Sequence, residues 1–553
     1  MAEDNLSEIE AKQKEWEDGN LKKYLGEYPE RDIYSELPVK TVYTPLDRPN
    51  SDYLKDIGLP GEYPYTRGIT PSMYRSKIWA MSEYAGFGLA EESQKRHKYL
   101  LSQGESQIAV AADLPFQLGY DADDPAVEAE VGLIGTSISS LKDIEAMLDG
   151  IPVDKVTVRG STSSMVLVLW AMYIVAAEKK GIPSEKLLGD SKIDVMDEYL
   201  GRGNYIFPPE HSLRLSLDLV EYGLKHIPKL TYQINSYTIH EQGATVVQEG
   251  AYCLANALFY LEAARDRGTI NVGDFAARIT QHTASHTHIF EEVAKSRAIR
   301  RLWAKLIKER FNPENPEALR VKIDPNTGGS VLTAQQAENN IVRITLELLG
   351  AVLSGSTYIA PCSYDEVLAI PTEKAVTMSL RAMQIIAYES GVCDTVDPLG
   401  GSYYVEALTD EAEARILDYI KQIESRGGMM GVIKSGWLKQ EVARSAYLKQ
   451  RALEEGRQIR VGLNKFCVDE EPTFELHKPD LNLVDRRKES LRKLRAERDN
   501  SAVQLSLEKL RKAAQGNENL VPFAIDAVRN YATVGEIAGV LRDVFGEYKP
   551  ASF

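Results

Sequence analysis

The stretch from Leu213 to Arg265, LRLSLDLVEYGLKHIPKLTYQINSYTIHEQGATVVQEGAYCLANALFYLEAAR, decides the fold. Leu213 to His226 carries apolar residues at spacings of three and four, the pattern of an amphipathic helix. Leu230 to Asn235 then reads as a short strand. Gly243 to Arg265 follows as a second helix, long, alanine-rich and apolar. The same order repeats outward in both directions. Upstream, Ile108 to Ala112 reads as a strand ending at Asp113-Leu-Pro115. Val156 to Val158 reads as another, followed by the small residues Gly160 to Ser164 and an apolar helix from Met165 to about Lys179. Downstream, helices are expected near Ile289 to Arg310, Ala334 to Leu353 and Glu373 to Gly391, with Arg320 to Ile323 as a strand between two of them. Short strands alternating with such helices imply βα units and a parallel sheet. Seven or eight units favour a closed TIM-type (β/α)8 barrel over an open sheet.

Outside this core the text changes. Residues 1–60 are charged and rich in tyrosine and proline, and read as an N-terminal arm that wraps its own domain or reaches a partner. The barrel is assigned to residues 61–430. Residues 431–553 read as a helical C-terminal extension, with a charged, solvated helix at Asp485 to Asp499 and an amphipathic stretch at Asn519 to Phe545.

Over the 553 residues, 43% are apolar and 26% charged, an ordinary globular composition that excludes collagen, a coiled-coil rod or wholesale disorder. The net charge of −16 gives no general attraction to nucleic acid or anionic lipid, yet leaves room for a local basic pocket. Cys253, Cys362, Cys393 and Cys467 are too scattered for a zinc knuckle or redox pair, which reads as a reducing compartment. The acidic N-terminus resembles neither a signal nor a transit peptide. The longest apolar run, Met165 to Ala177, is too short to span a bilayer. A soluble cytoplasmic protein is expected.

Standard motifs are absent: no phosphate loop, no H-E-x-x-H, no G-x-S-x-G elbow, and no third glycine after Gly86 and Gly88 or Gly201 and Gly203. Three local signals remain. His282, His286 and His288 either surround a transition metal or form a polar lining at a strand end; no cysteine or carboxylate nearby completes a ligand set, so no metal is assigned. Tyr63 to Phe87 is dense in aromatics and cations. It is either a surface for a flat, phosphate-bearing ligand, using Arg67, Arg75 and Lys77, or a packed rim with a solvated charged face. Arg202 lies between two glycines before the Pro208-Pro209 turn, as either a carboxylate-binding guanidinium or a surface arginine.

Read together, several runs resemble the adenosylcobalamin-dependent acyl-CoA mutases. They are ITPSMYRSKIWAMSEYAGFGLAEESQKRHKYLLSQG (Ile69 to Gly104), DLPFQLGYDADDP (Asp113 to Pro125), LDGIPVDKV (Leu148 to Val156), YIFPPEHSLRL (Tyr205 to Leu215), EQGATVVQE (Glu241 to Glu249), LTAQQAENNIVR (Leu332 to Arg343), DPLGGSYYVEALTDE (Asp397 to Glu411) and VGLNKF (Val461 to Phe466). They occur in family order across most of the chain, and are similar to the large subunit of methylmalonyl-CoA mutase. The resemblance implies a barrel with the CoA thioester along its axis. It also implies a radical 1,2 rearrangement, in which an adenosyl radical abstracts a substrate hydrogen and the acyl thioester migrates. The family's cobalamin domain carries D-x-H-x-x-G, which this chain lacks, so a separate small subunit is implied to carry the cofactor. The arm and the charged C-terminal region are the expected docking elements.

By the same resemblance, Tyr84 matches the tyrosine that wedges beside the substrate, and Arg202 the arginine that binds a free carboxylate. Together they suggest a dicarboxylic acyl-CoA, because mutases for uncharged acyl groups carry other residues at both places. Tyr74, Lys77, Arg278 and Thr280 are the expected CoA-side contacts. Glu241, Asn326 and Glu366 are expected to face the cofactor.

Several pocket runs depart from the family. Threonine stands at 238 where the family has a histidine that hydrogen-bonds the thioester carbonyl, and His240 lies two residues on. Both Thr238 and His240 are therefore carried as catalytic candidates, with His282 as another group able to polarise the carbonyl. Lys192-Ile-Asp194, Arg159-Gly-Ser161, Asp324 to Gly329 and Thr357 to Cys362 also replace family pocket residues while core motifs are kept. This suggests a remodelled pocket, with room for a bulkier substituted succinyl-CoA. The alternatives are a mutase for a non-dicarboxylic branched acyl-CoA, and a non-catalytic paralogue that acts as a structural partner.

Overall fold

A computed structural model describes residues 3–22, 37–160, 164–469, 480 and 482–550. Ser161 and much of the arm between 23 and 36 lie outside the described residues. Eight parallel strands run round one barrel. They are β1 (Ala80–Met81, resumed at Tyr84–Ala85), β2 (Gln107–Val110), β3 (Thr157–Gly160), β4 (Leu188–Lys192), β5 (Lys229–Asn235), β6 (Ile279–His282, resumed at Ala284–Ser285), β7 (Lys322–Ile323, resumed at Asn326–Thr327) and β8 (Tyr358–Ile359). Tyr84–Ala85 through Lys322–Ile323 pair in sequence order, all in parallel. The ring closes through β8. It pairs with β1 (Ala80↔Tyr358), and the Thr357 amide donates to the Ile323 carbonyl at 3.1 Å. The expected seven or eight units are therefore eight, each strand followed by a helix as in a TIM barrel.

The helices lie outside: α1 (Ala90–Ser102), α2 (Leu141–Met147), α3 (Val166–Lys179), α4 (Pro209–His226), α5 (Val246–Arg267), α6 (Ile289–Phe311), α7 (Asn339–Leu353) and α8 (Glu373–Glu389). In α3, every residue from Val166 to Ala177 is buried, because it packs both on the sheet and beneath a C-terminal helix. Outward-facing strand positions must be small where a helix presses close. A Cβ built at Gly189 would lie 2.1 Å from the Trp170 ring of α3. No helix among the described residues is long and apolar enough to cross a membrane.

The C-terminal helices α9 (Tyr403–Ser425), α10 (Trp437–Glu454), α11 (Leu483–Glu497), α12 (Asn500–Gln515), α13 (Val521–Arg529) and α14 (Val534–Phe545) follow. Apolar residues of α12, α13 and α14 share one continuous core with the barrel helices. The charged helix expected at Asp485 to Asp499 is solvated on one side only. Its Arg487 is buried and makes a bidentate pair with Asp143 (2.6 and 3.0 Å), while Leu491 and Leu494 are buried beside it. The described end of the arm lies on the chain itself: Leu37 is buried, and Arg48 pairs with Asp410 of α9 at 2.6 Å.

Candidate active site

The barrel lumen is polar because inward positions on its strands carry Arg159, Asp190, Lys192, Gln233 and Asn235. Register fixes their layers, with Arg159 opposite Asp190 and Lys192 opposite Gln233. Two cavities open along the axis. One, about 610 Å³, lies at the N-terminal ends of the strands and is lined by Tyr74, Lys77, Trp79, Thr231, Thr280 and others. The second, about 260 Å³, lies at the C-terminal ends, where TIM barrels carry their chemistry. Tyr84, Lys192, Arg202, Thr238, His282 and Glu366 are among its lining residues. Arg159 and Tyr358 line both.

Arg202 is set by a wide turn in which the Gly203 amide reaches back to the Glu198 carbonyl at 2.8 Å. Gly203 takes a positive φ there, so the chain reverses immediately after the guanidinium. Nη1 of Arg202 donates to Glu198 (3.2 Å) and Nη2 to Gln117 (2.6 Å), which also accepts from Asn204 at 3.0 Å. Burial is the largest single influence on Arg202 and works against its charge, but Glu198, Tyr84 and Asp197 together outweigh it and the net shift is upward. The side chain is a fixed cation at the cavity wall, not a surface arginine.

Asp197 is a hub beneath this wall. It accepts from Lys192 (2.9 Å), Asn235 Nδ2 (2.6 Å) and the Thr238 hydroxyl. Thr238 lines the cavity, yet its proton is committed to Asp197. Asp194 takes the Asn235 amide and Asn256 Nδ2 (2.9 and 2.7 Å), and burial, reinforced by the Asp197 charge, raises its carboxyl to about 7. Glu83 is buried in the cavity wall and held well above the usual carboxyl range, first by burial and then by Glu105 and Glu366. Glu366 is raised to about 6, chiefly by burial, and accepts the Ser363 amide at 2.9 Å.

The remaining sequence candidates sit differently. Tyr74 lines the N-terminal cavity and donates to the carbonyls of Val352 (3.1 Å) and Ser356 (2.7 Å). Thr280 lines the same cavity beside Asp190, at 3.4 Å. Arg278 lines neither cavity; its guanidinium donates to the Gly223 and Ile227 carbonyls (3.5 and 3.3 Å). His240 is buried behind the C-terminal cavity. Its Nδ1 is 2.7 Å from Glu249 and its Nε2 3.1 Å from His286 Nδ1. His286 in turn bonds Glu241 at 2.6 Å, and Glu241 also accepts the Ser330 amide at 2.8 Å.

The three clustered histidines diverge. His282 lines the cavity, His286 joins His240, and His288 stands at the start of α6, 3.9 Å from Glu291. His240, His286 and Glu292 offer ligand atoms within 4.8 Å of one another. The positive charge there comes from the fully buried Lys295, whose ammonium bonds Glu249 (2.6 Å), Glu292 and the Ala284 carbonyl (2.7 Å).

Asn326 Oδ1 and Ser363 Oγ are buried without a hydrogen-bond partner, and both residues line the C-terminal cavity. The mouth therefore fits an occupant that brings hydrogen-bonding groups of its own. Sequence reasoning named Lys192 and Arg159 as departures but assigned them no role, and passed over Asp190, Asp197, Glu83 and Gln117. Arg159, Asp190 and Lys192 share one signal, polar residues within short strands, which Gln117 in a short helix and Asp197 at a helix start do not carry.

Comparisons with known proteins agree across the chain. The family model described as methylmalonyl-CoA mutase matches residues 32–547. The 2-hydroxyisobutanoyl-CoA mutase large subunit of Aquincola tertiaricarbonis is 40% identical over 550 residues, 98% of each chain. The methylmalonyl-CoA mutase large subunit of Streptomyces virginiae is 39% identical over 531 residues, 94% of this chain and 72% of that protein. The human mitochondrial methylmalonyl-CoA mutase is 36% identical over 541 residues, 97% of this chain and 72% of that one.

Proposed function

Because this chain belongs to the methylmalonyl-CoA mutase family, we propose that it is the large, acyl-CoA-binding subunit of an adenosylcobalamin-dependent mutase acting on a dicarboxylic acyl-CoA. The observation that carries the reading is Arg202, a half-buried guanidinium fixed by Glu198 and Gln117 on the wall of an axial cavity that Tyr84 also lines. A carboxylate taken out of water needs such a partner.

In this reading the N-terminal cavity takes the pantetheine arm, with Tyr74, Lys77 and Thr280 along it, and the acyl group lies in the C-terminal cavity. When bound, adenosylcobalamin supplies the radical chemistry of the rearrangement. The chain orients the acyl group through Arg202 and Tyr84, excludes water by enclosing it, and offers Asn326 and Glu366 to the cofactor side. Glu241, held by His286 and Ser330, borders the same end of the barrel. The names of two relatives include "large subunit". They support a partner small subunit. Its docking elements are the arm and the C-terminal region.

A second reading, an uncharged branched or hydroxylated acyl group, is favoured by two observations. Glu198 and Asp197 already balance Arg202 and Lys192, and the 2-hydroxyisobutanoyl-CoA mutase large subunit is a full-length relative. The test mixes the chain with a small subunit, adenosylcobalamin and a panel of acyl-CoAs, and records the substrate-dependent electron paramagnetic resonance signal. A dicarboxylic thioester should give the signal, and Arg202→Gln should abolish it. A signal only from uncharged thioesters, surviving Arg202→Gln, overturns the first reading in favour of the second. No signal and no acyl-CoA binding, with the subunits still associating, overturns both in favour of a structural partner.

A further inference from the structure

We infer that Arg159 is the residue that donates a hydrogen bond to the thioester carbonyl of the bound acyl-CoA, a role that rests on the mutase reading above. The two cavities meet at this side chain, since Arg159 and Tyr358 line both. A long substrate with its thin arm in the larger cavity and its acyl group in the smaller one has its middle at that junction. For an acyl-CoA the middle is the thioester.

The guanidinium is ready for an acceptor. It is buried, its Cζ lies 3.6 Å from the centre of the Tyr358 ring, and its ends are held by Asp190 (2.8 Å) and Asp324 (3.3 Å). Its Nη2, although close to Asp190, has no hydrogen-bond partner of proper direction. A guanidinium carries five N–H groups, and two carboxylate contacts leave some of them unused. The flanking charges also select the kind of acceptor. Two aspartates around one arginine repel an additional carboxylate but leave the N–H dipoles able to bind a neutral carbonyl. Arg202, deeper in the C-terminal cavity wall, is the separate site for charge.

Four other groups at or behind the cavity are already engaged with their neighbours. The Thr238 hydroxyl donates to Asp197. His240 lies behind the wall, between Glu249 and His286. Burial, and then the neighbouring Arg159, lower His282 to about 3, so its ring is neutral. Its Nδ1 faces the Asp324 carbonyl at 2.8 Å and must carry the proton, which leaves Nε2 only a lone pair. Lys192 is held by Asp197 (2.9 Å) and Glu198 (3.7 Å). Arg159 thus takes over carbonyl polarisation from a strand, Thr157–Gly160, rather than from the short helix that bears Thr238. A fixed donor in a water-poor lumen acts in the manner of an oxyanion hole.

The test uses the full chain without cofactor. Succinyl-CoA and isobutyryl-CoA, each with ¹³C at the thioester carbon, are bound and read by isotope-edited infrared spectroscopy. The bound carbonyl band should move to lower wavenumber than in water. Arg159→Gln should lose the displacement, Arg159→Lys should restore part of it, and Thr238→Val and His282→Phe should keep it. Arg159→Gln/Asp324→Asn, which strands one fewer carboxylate, serves if the single variant does not fold. With the reconstituted enzyme, Arg159→Gln should lower kcat about 10²–10³-fold with KM little changed. A bound thioester with no displaced band, a displacement that survives Arg159→Gln, or one lost in Thr238→Val overturns the assignment and leaves the mutase reading standing. If neither thioester binds, the mutase reading falls and the Arg159 assignment falls with it.

Discussion

Replacing Lys295 by methionine isolates the buried ion cluster behind the site. The ammonium is fully buried between Glu249 and Glu292, themselves buried, and it also donates to the Ala284 carbonyl at 2.7 Å. Burial opposes its charge, but the two carboxylates outweigh that and hold it protonated. Lys295→Met keeps the volume and strands both carboxylates, which should cost about 3–5 kcal/mol at neutral pH. An unfolding entropy of about 2.1 cal/mol/K per residue, over the whole chain, makes this a fall in Tm of about 3–4 °C. The sign with pH follows from linkage. Without the ammonium, the folded carboxylates titrate above their unfolded value. The deficit is therefore full at alkaline pH and shrinks as pH falls toward the unfolded pKa, by about 1.4 kcal/mol per unit for each carboxylate. Calorimetry at about pH 7.5 and about pH 5.5 should show the gap to wild type closing on the acid side. Adding Glu249→Gln and Glu292→Gln to Lys295→Met should recover most of the loss. A neutral-pH change below about 1 °C, or a gap that widens with acid, refutes the reasoning.

Gly189→Ala should destabilise by about 1–3 kcal/mol, because the new methyl would sit 2.1 Å from the Trp170 ring; chemical denaturation checks it, and Trp170→Leu in the same chain should relieve the penalty. Burial lifts Glu105 to about 8, so the folded state keeps a proton that the unfolded state releases; that stabilisation is complete below the ordinary glutamate range and is lost as pH rises through about 8. Glu105→Gln retains the acceptor for Ser82 Oγ and the Glu83 amide (3.0 and 2.6 Å), and its Tm should gain on wild type steadily from about pH 5 to 8; parallel Tm curves would show that Glu105 is ionised in the folded chain.

The amphipathic helices were legible because each pays its apolar face toward one layer. Leu213 to His226 became Pro209–His226, and Gly243 to Arg265 became Val246–Arg267. The strands were harder. Leu188–Lys192 reads LGDSK, hardly apolar, because its inward side faces a functional lumen and its outward side must leave Trp170 room at Gly189. Alternation is a good signal only where one face is apolar and the other solvent; here Asp190 and Lys192 look inward. The two-residue strand Tyr358–Ile359 is too short for any period to show, although it closes the ring. His240 illustrates a different limit. Its nearness to Thr238 in sequence suggested a substitute donor, but the short helix Tyr237–Glu241 turns the two side chains to opposite sides of the wall.

The pocket residues that the sequence reading sets apart from the family pattern gather in space more than in sequence. Arg159, Lys192, Asp324 and Tyr358 come from four different strands, yet they form one band around the axis. Arg159 bonds Asp324, stacks on Tyr358 and pairs with Asp190, while Lys192 pairs with the same Asp197 that takes the Thr238 proton. A barrel makes this economical, since residues far apart in the chain become neighbours through register alone. It also makes single replacements hazardous. Introducing Arg159 alone would bury an unpaired cation, and introducing Asp324 alone would bury an unpaired anion. The departures are therefore best understood as a coupled set. Thr238→His alone should then lower acyl-CoA turnover rather than raise it in the reconstituted enzyme, because it removes the hydroxyl that Asp197 accepts beside Lys192.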